Sequence, residues 1–275
     1  FFTCNSFVKA QQPEYDPPKL FKNNEEGLFK DQGKMDDRKR RTGPWINYIP
    51  VKTVIYDVDA SRKVPIKSEG AYLLQFKGNY VEGKKEGLFE AFVIEKQSPL
   101  KFIKIYEQQY KKDQLVGEWV IYDLAGNIAE KITRSEEGKL LEGQSFFLNG
   151  KLREKSTFVD GKTSDYTLSR YDIKTGKLTE QTEFRNNKGN GQLQAFFENG
   201  RVKTVGILKD GKRDSLWKAF DEEGNLFQTY NFQNGMLNGP SSTYYKDGKT
   251  QSRTHFKADL PHGNYKYFHP NGQLW

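Results

Sequence analysis

The chain has 275 residues, 35% of them hydrophobic, and a mean hydropathy of −0.86, too polar for one thick core of the usual roughly 45–50% apolar composition. Its 20 Phe, 15 Tyr and 4 Trp exclude a disordered chain and favour a thin fold in which large rings bury much area per residue. The net charge of +8 is spread along the length and serves solubility, while the single cysteine excludes a disulfide framework or a Cys-rich metal site.

Residues 1–12, "FFTCNSFVKAQQ", are apolar to small and read as the remnant of a secretory signal. Cys4, inside that stretch, is no candidate nucleophile. An exported chain with one cysteine suits an oxidising compartment, and no apolar run nears the roughly 20 residues of a membrane helix. Residues 13–41 form a polar lead-in that ends in the basic run "KMDDRKRRTG", Lys34–Gly43. Arg38, Lys39, Arg40 and Arg41 are of the right type to meet phosphates on nucleic acid or a lipid surface. No aromatic is interleaved for base stacking, so the run reads as a solvated segment that blunts an edge strand. Nucleic acid is not an expected partner, and a membrane surface is supported by charge alone.

Residues 42–116 hold irregular repeats, lengthened by "PVKTVIYDVDASRKVPIKSEG" from Pro50 to Gly70. Residues 117–275 hold regular ones, the last of them expected to be truncated. Four units open on a small residue, at Gly191, Ser215, Gly239 and Gly263, each 24 residues after the last. Earlier openers are Gly43, Gly87, Gly117, Gly143 and Asp165. Such a period marks a repeat architecture.

Five places after the opener stands a ring: Tyr48, Phe92, Tyr122, Phe196, Phe220, Tyr244, Phe268. Two places after it stand Trp45, Phe89, Trp119, Leu193, Trp217 or Tyr265. Next comes a turn on Gly126, Gly200, Gly224, Gly248 or Gly272, preceded by Asn or Asp at Asn199, Asp247 and Asn271. These pairs supply the positive φ of a tight hairpin. After the turn, Leu152, Leu178, Val202 and Leu226 are each followed six places on by Phe158, Phe184, Leu208 and Phe232. The even separation predicts one shared strand face. A second turn falls at Gly161, Gly211 and Gly235, with Asn187 and Asp259 in the same slot. The expected fold is all-β: an extended antiparallel β-meander of tandem ~24-residue hairpin repeats, each leaning on its neighbours.

The phrases "GEWVIYDLAGNI", "LWKAFDEEGNLFQTYNFQNGMLNG" and "GNYKYFHPNGQL" resemble the MORN-repeat variant of bacterial proteins, over about residues 42 to 275. The resemblance implies a repeat scaffold that binds proteins or lies against membranes; some members look like antitoxin components. The eukaryotic-type motif has tighter glycine spacing, so its phosphoinositide binding does not carry over.

His255, His262 and His269 recur every seven residues but fall on a strand and at turns, and no closed ligand set accompanies them. The acidic pairs Asp36-Asp37, Glu136-Glu137 and Glu222-Glu223 lie in polar segments with nothing to shift their pKa values. No nucleophile, phosphate-loop or protease motif is present. The chain therefore reads as a non-catalytic scaffold without cofactor or metal, exported, and binding another protein or a cell-envelope component. An antitoxin-like protein that neutralises a toxin in the cytoplasm is the alternative, and a carbohydrate-binding module needs exposed rings at sugar-stacking spacing. The candidate docking surface is the aromatic ladder Phe196, Phe220, Tyr244 and Phe268, expected to stack along one face, with Trp217 and Tyr265 pointing the other way.

Overall fold

The computed structural model describes residues 31–51, 55–57, 63–65, 72–95, 101–123 and 125–275. The export remnant at 1–12, most of the lead-in and parts of the insertion lie outside the described residues. Among the described residues there is no helix. The chain divides into two compact units, the first ending at Lys151 and the second beginning at Leu152.

The first unit holds β1 (Gln32–Met35), β2 (Arg41–Val51), β3 (Ile55–Asp57), β4 (Lys63–Pro65), β5 (Tyr72–Val81), β6 (Lys84–Glu95), β7 (Lys101–Lys111), β8 (Gln114–Tyr122), β9 (Ile128–Arg134) and β10 (Leu140–Phe146). Antiparallel pairing runs β1–β2–β5–β6–β7–β8–β9–β10. β2 meets β5 without a break from Gly43↔Tyr80 to Val51↔Tyr72, while β3 and β4 pair only with each other. Within the insertion, β3 and β4 thus form a hairpin of their own. In the first unit Ala91, Val93 and Ile105 form a small buried cluster, with Leu74, Phe76 and Tyr106 against them.

The second unit holds β11 (Leu152–Val159), β12 (Lys162–Tyr171), β13 (Leu178–Arg185), β14 (Lys188–Phe196), β15 (Val202–Lys209), β16 (Lys212–Phe220), β17 (Leu226–Gln233), β18 (Met236–Leu237), β19 (Gly239–Tyr244), β20 (Thr250–Lys257), β21 (Leu260–Pro261) and β22 (Lys266–Tyr267). Each long strand pairs antiparallel with the next, β17 with both β18 and β19, and β20 with both β21 and β22. The all-β meander expected from the repeat is the fold.

The two turns differ in kind. At Asp160-Gly161, Asp210-Gly211 and Asn234-Gly235, three of the second turns, both central residues take positive φ, the two-residue type I′ loop whose twist matches that of the strands. At the first turn only the glycine does: Gly200 is at φ 83, and Asn199 is not left-handed. Phe197 N–H donates to the Arg201 carbonyl, and Gly200 N–H to that of Phe197, the three-residue loop with a left-handed last residue. Asn199 instead accepts the Arg201 N–H on its Oδ1, as Asn149, Asp247 and Asn271 do for the residue two places on. The Asn-Gly signal is a turn signal, but its asparagine acts through its side chain.

The openers mark bulges. Gly43, Gly87, Gly117, Gly191, Ser215, Gly239 and Gly263 all have positive φ, while Gly143 and Asp165 do not. Across β15 and β16, Val205 pairs with Lys218 and Ile207 with Asp214, so three residues, Ser215 to Trp217, face Gly206 alone. A left-handed residue lets the extra residues leave the ladder at these openers. That is the reason for a small residue there.

A second register shift corrects the expected six-residue rule. Ala195 pairs with Thr204 but Phe196 with Val202, and Ala219 with Gln228 but Phe220 with Leu226. Successive residues alternate faces, so Val202 lies on the face of Phe196, and Thr204 with Leu208 on the other. Leu226 and Phe232 are separated in the same way. The bulge beside each first turn flips the apolar residue that follows it.

Candidate partner-binding surface

The face that carries Trp217 is the spine. In the first unit the rings of Trp45, Tyr80, Phe89 and Tyr110 meet edge to face in sequence, with centroids 6.2, 5.4 and 5.1 Å apart. In the second, Phe158, Tyr166 and Phe184 are joined at 5.6 and 4.6 Å, and Trp217 meets Phe232 at 6.0 Å. Three second-place rings each lie over a glycine of the preceding strand. A Cβ on Gly33, Gly78 or Gly206 would fall 2.2 Å from Trp45, Phe89 or Trp217. Where that site holds Thr182 instead, its partner is the smaller Leu193.

A cation two places before the opener caps each of these rings: Arg41 lies 4.7 Å over Trp45, Lys85 5.4 Å over Phe89, and Arg213 4.8 Å over Trp217. Burial, added to the repulsion from Arg41, pulls the Lys85 ammonium below the ordinary lysine range. The reading of the repeat from its small and aromatic positions missed this cation. A Lys or Arg four residues ahead of the second-place ring, at Arg41, Lys85 and Arg213, was the available signal.

Trp217 is 3% exposed, and its Nε1–H donates to the Ile207 and Asp214 carbonyls at 3.2 Å. It glues the sheet and cannot be an open docking ring. Tyr265 is 64% exposed.

The register places Phe196, Phe220, Tyr244 and Phe268 on the opposite face, along the margin next to the first turns. All four are half-buried. They do not stack, because each is two strands from the next, about 10 Å, beyond the ~7 Å reach of ring pairs. Between them stand Val202, Leu226, Thr250 and Leu274, the pairing partners of the four. The result is one broken apolar stripe. One row inward on that face the register puts Lys218 opposite Thr229, Ser242 opposite Arg253, and Arg253 opposite Lys266. Lys218, Arg253 and Lys266 are exposed, and no acidic side chain pairs with them among the described residues.

The fifth-place rings of the first unit are engaged. Lys104 Nζ lies 2.5 Å from Glu90 and 3.0 Å from Glu107, and 5.9 and 6.0 Å over Phe92 and Tyr122. The Tyr122 hydroxyl donates to Glu107 at 2.9 Å, and Gln75 Nε2 donates to the Tyr48 oxygen at 2.8 Å. The hydrogen bonds to Glu90 and Glu107 hold the Lys104 ammonium above its ordinary range. Burial works to raise Glu107, but the Lys104 and Tyr122 hydrogen bonds outweigh it and hold the carboxyl low. Glu107 therefore stabilises the fold above the usual carboxylate pKa, and that stability is lost as pH falls through its lowered value. The Lys104 contribution is lost only as pH rises through its raised value. Urea midpoints are expected to fall below about pH 4, with a weaker acid limb in Lys104→Met; an unchanged limb would show that the cluster contributes nothing.

The other candidates stay apart. His255 and His262 are exposed, His269 meets the Trp275 ring at 6.3 Å, and no three metal-capable side chains gather among the described residues. Asp36 accepts the Arg38 and Arg40 N–H groups and the Arg40 guanidinium, so it caps a turn. Asp172 and Asp221 brace first turns in the same manner.

A family model described as the MORN repeat variant matches residues 139–160, 213–234, 237–258 and 261–275. Repeats of this class are scaffolds that bind proteins or membranes. No curated protein matches the chain. Among solved structures, a mutant of S. aureus TarM in complex with fondaparinux, alpha-GlcNAc-glycerol and UDP shares 14% identity at a TM-score of 0.23, covering 48% of this chain. The chain spans 22% of that protein's length. A porin-like protein from Bacteroides uniformis shares 10% identity at a TM-score of 0.22, over 82% of this chain and 94% of its own. TcdB2-TccC3 shares 10% at 0.17, over 87% of this chain and 20% of its own. None of these three likenesses bears on function.

Proposed function

We propose that the chain is a non-catalytic scaffold whose second unit docks an extended, acidic protein segment carrying apolar side chains. The observation that supports this is the contrast between the two units. The fifth-place rings of the first are capped by Lys104, Lys77 and Gln75. Among the described residues no cation or other ring stands over Phe196, Phe220, Tyr244 or Phe268. Beside that stripe, where the Tyr244 hydroxyl shares one hydrogen bond with Thr229 Oγ1 at 3.3 Å, runs the unpaired basic row Lys218, Arg253 and Lys266. Rings supply affinity when a partner desolvates them, and the cations select sign and speed encounter.

Peptide-display selection on the immobilised protein is expected to enrich segments that mix acidic and apolar residues. Phe220→Ala combined with Phe268→Ala, and Lys218→Glu combined with Arg253→Glu, should each weaken them at least tenfold, about 1.4 kcal/mol. Selected segments indifferent to both pairs overturn the reading. Export is part of the proposal and rests on the composition of residues 1–12. Recovery of the chain from the cytoplasmic fraction with those residues intact argues for the toxin-neutralising alternative instead.

A further inference from the structure

A groove crosses the same face at the other end of the second unit, over β11 to β14. Thr157, Thr167, Gln181, Glu183, Gln192 and Gln194 line it. The register assembles it from two rows: Thr157↔Thr167↔Glu183, and Gln181↔Gln194 one row along. The bulge at Gly191 opens it, because β14 carries Asn190, Gly191 and Gln192 against Glu183 alone.

Glu183 is set in place by that bulge. Its Oε2 accepts the Gln192 N–H at 3.3 Å and lies 2.3 Å from where a Gly191 Cβ would be. Gly117 and Gly239 make room for Gln109 and Asn231 in the corresponding manner, but Asn231 is spent on the Pro240 carbonyl. In the groove, Gln181 donates to Ser169 at 3.2 Å. The side chains of Thr157, Thr167, Gln192 and Gln194 have no protein partner among the described residues.

We infer that this groove binds a neutral saccharide. Its free groups are hydroxyls and carboxamides, which both donate and accept, as sugar hydroxyls do. The one carboxylate is a strong acceptor for paired hydroxyls, and no cationic side chain lines the groove to hold an anion. It also lacks the apolar pockets by which an extended peptide is read. Alternation places Phe196, two residues beyond Gln194, on the same face, where a half-exposed ring can meet the apolar side of a sugar. The inference goes beyond the protein-docking proposal and does not depend on it.

The test is titration of the whole isotopically labelled protein with cellohexaose, chitohexaose and maltohexaose, with a polygalacturonate oligomer as the anionic comparison. At least one neutral hexasaccharide is expected to shift amides in 181–194 and 157–167. Gln194→Ala and Thr167→Ala should each weaken it about tenfold while the remaining spectrum is unchanged. Absence of shifts with all three neutral sugars, equal binding of the anionic oligomer, or wild-type affinity in both variants overturns the inference. Phe220→Ala with Phe268→Ala is expected to leave saccharide binding unchanged, which separates this result from the fate of the protein-docking stripe.

Discussion

Replacing Trp217 with alanine is expected to lower folding stability by about 3–5 kcal/mol, the usual cost of deleting a large buried ring. The side chain is 3% exposed, bonds two carbonyls through Nε1 at 3.2 Å, and joins Arg213 and Phe232 at 4.8 and 6.0 Å. Gly206→Ala is the complementary test. Its new Cβ would fall 2.2 Å from the indole, so the ring must leave, at about 1–3 kcal/mol for overpacking. In the Trp217→Ala background that obstruction is gone and the same change should cost little. A double-mutant cycle by urea denaturation is thus expected to show coupling above about 1 kcal/mol. Additive effects would mean that indole and glycine do not share one site.

Gly191→Ala should cost about 1–3 kcal/mol of strain, with a further clash on top. Gly191 sits at φ +130, and its Cβ would meet Glu183 Oε2 at 2.3 Å and Glu183 Cβ at 2.8 Å. Ser215→Gly, at the equivalent opener, should leave stability within about 0.5 kcal/mol. Relief of a left-handed serine at φ 60, about 1 kcal/mol, is offset by the more flexible unfolded chain. Loss of the Ser215 hydroxyl bond to Asp214 at 2.9 Å, exposed to water, adds little. Equal destabilisation by both substitutions would remove the bulge as the reason for the opener.

The opener, the second-place ring and the turn glycine were legible because each answers a local demand. A left-handed kink needs Gly or a small residue, a type I′ loop needs Asp-Gly or Asn-Gly, and a strand must bury one face. The cations at Arg41, Lys85 and Arg213 are equally present in the sequence, yet nothing local distinguishes them from surface charge. Their role depends on a ring four residues away being folded back by the bulge.

The sequence by itself determined the period, the hairpin unit and the antiparallel meander, since strand alternation and turn chemistry are properties of neighbours along the chain. It also placed Phe196, Phe220, Tyr244 and Phe268 at the same point of each repeat. Only the tertiary structure decided which face the residues beyond each first turn occupy. The bulge beside the first turn is a one-residue slip, which sends every later side chain to the opposite face, while the opener bulge adds two residues and keeps the faces in step. For that reason Val202 and Leu226 joined the open stripe, while the opener bulge brought Glu183 to stand over Gly191.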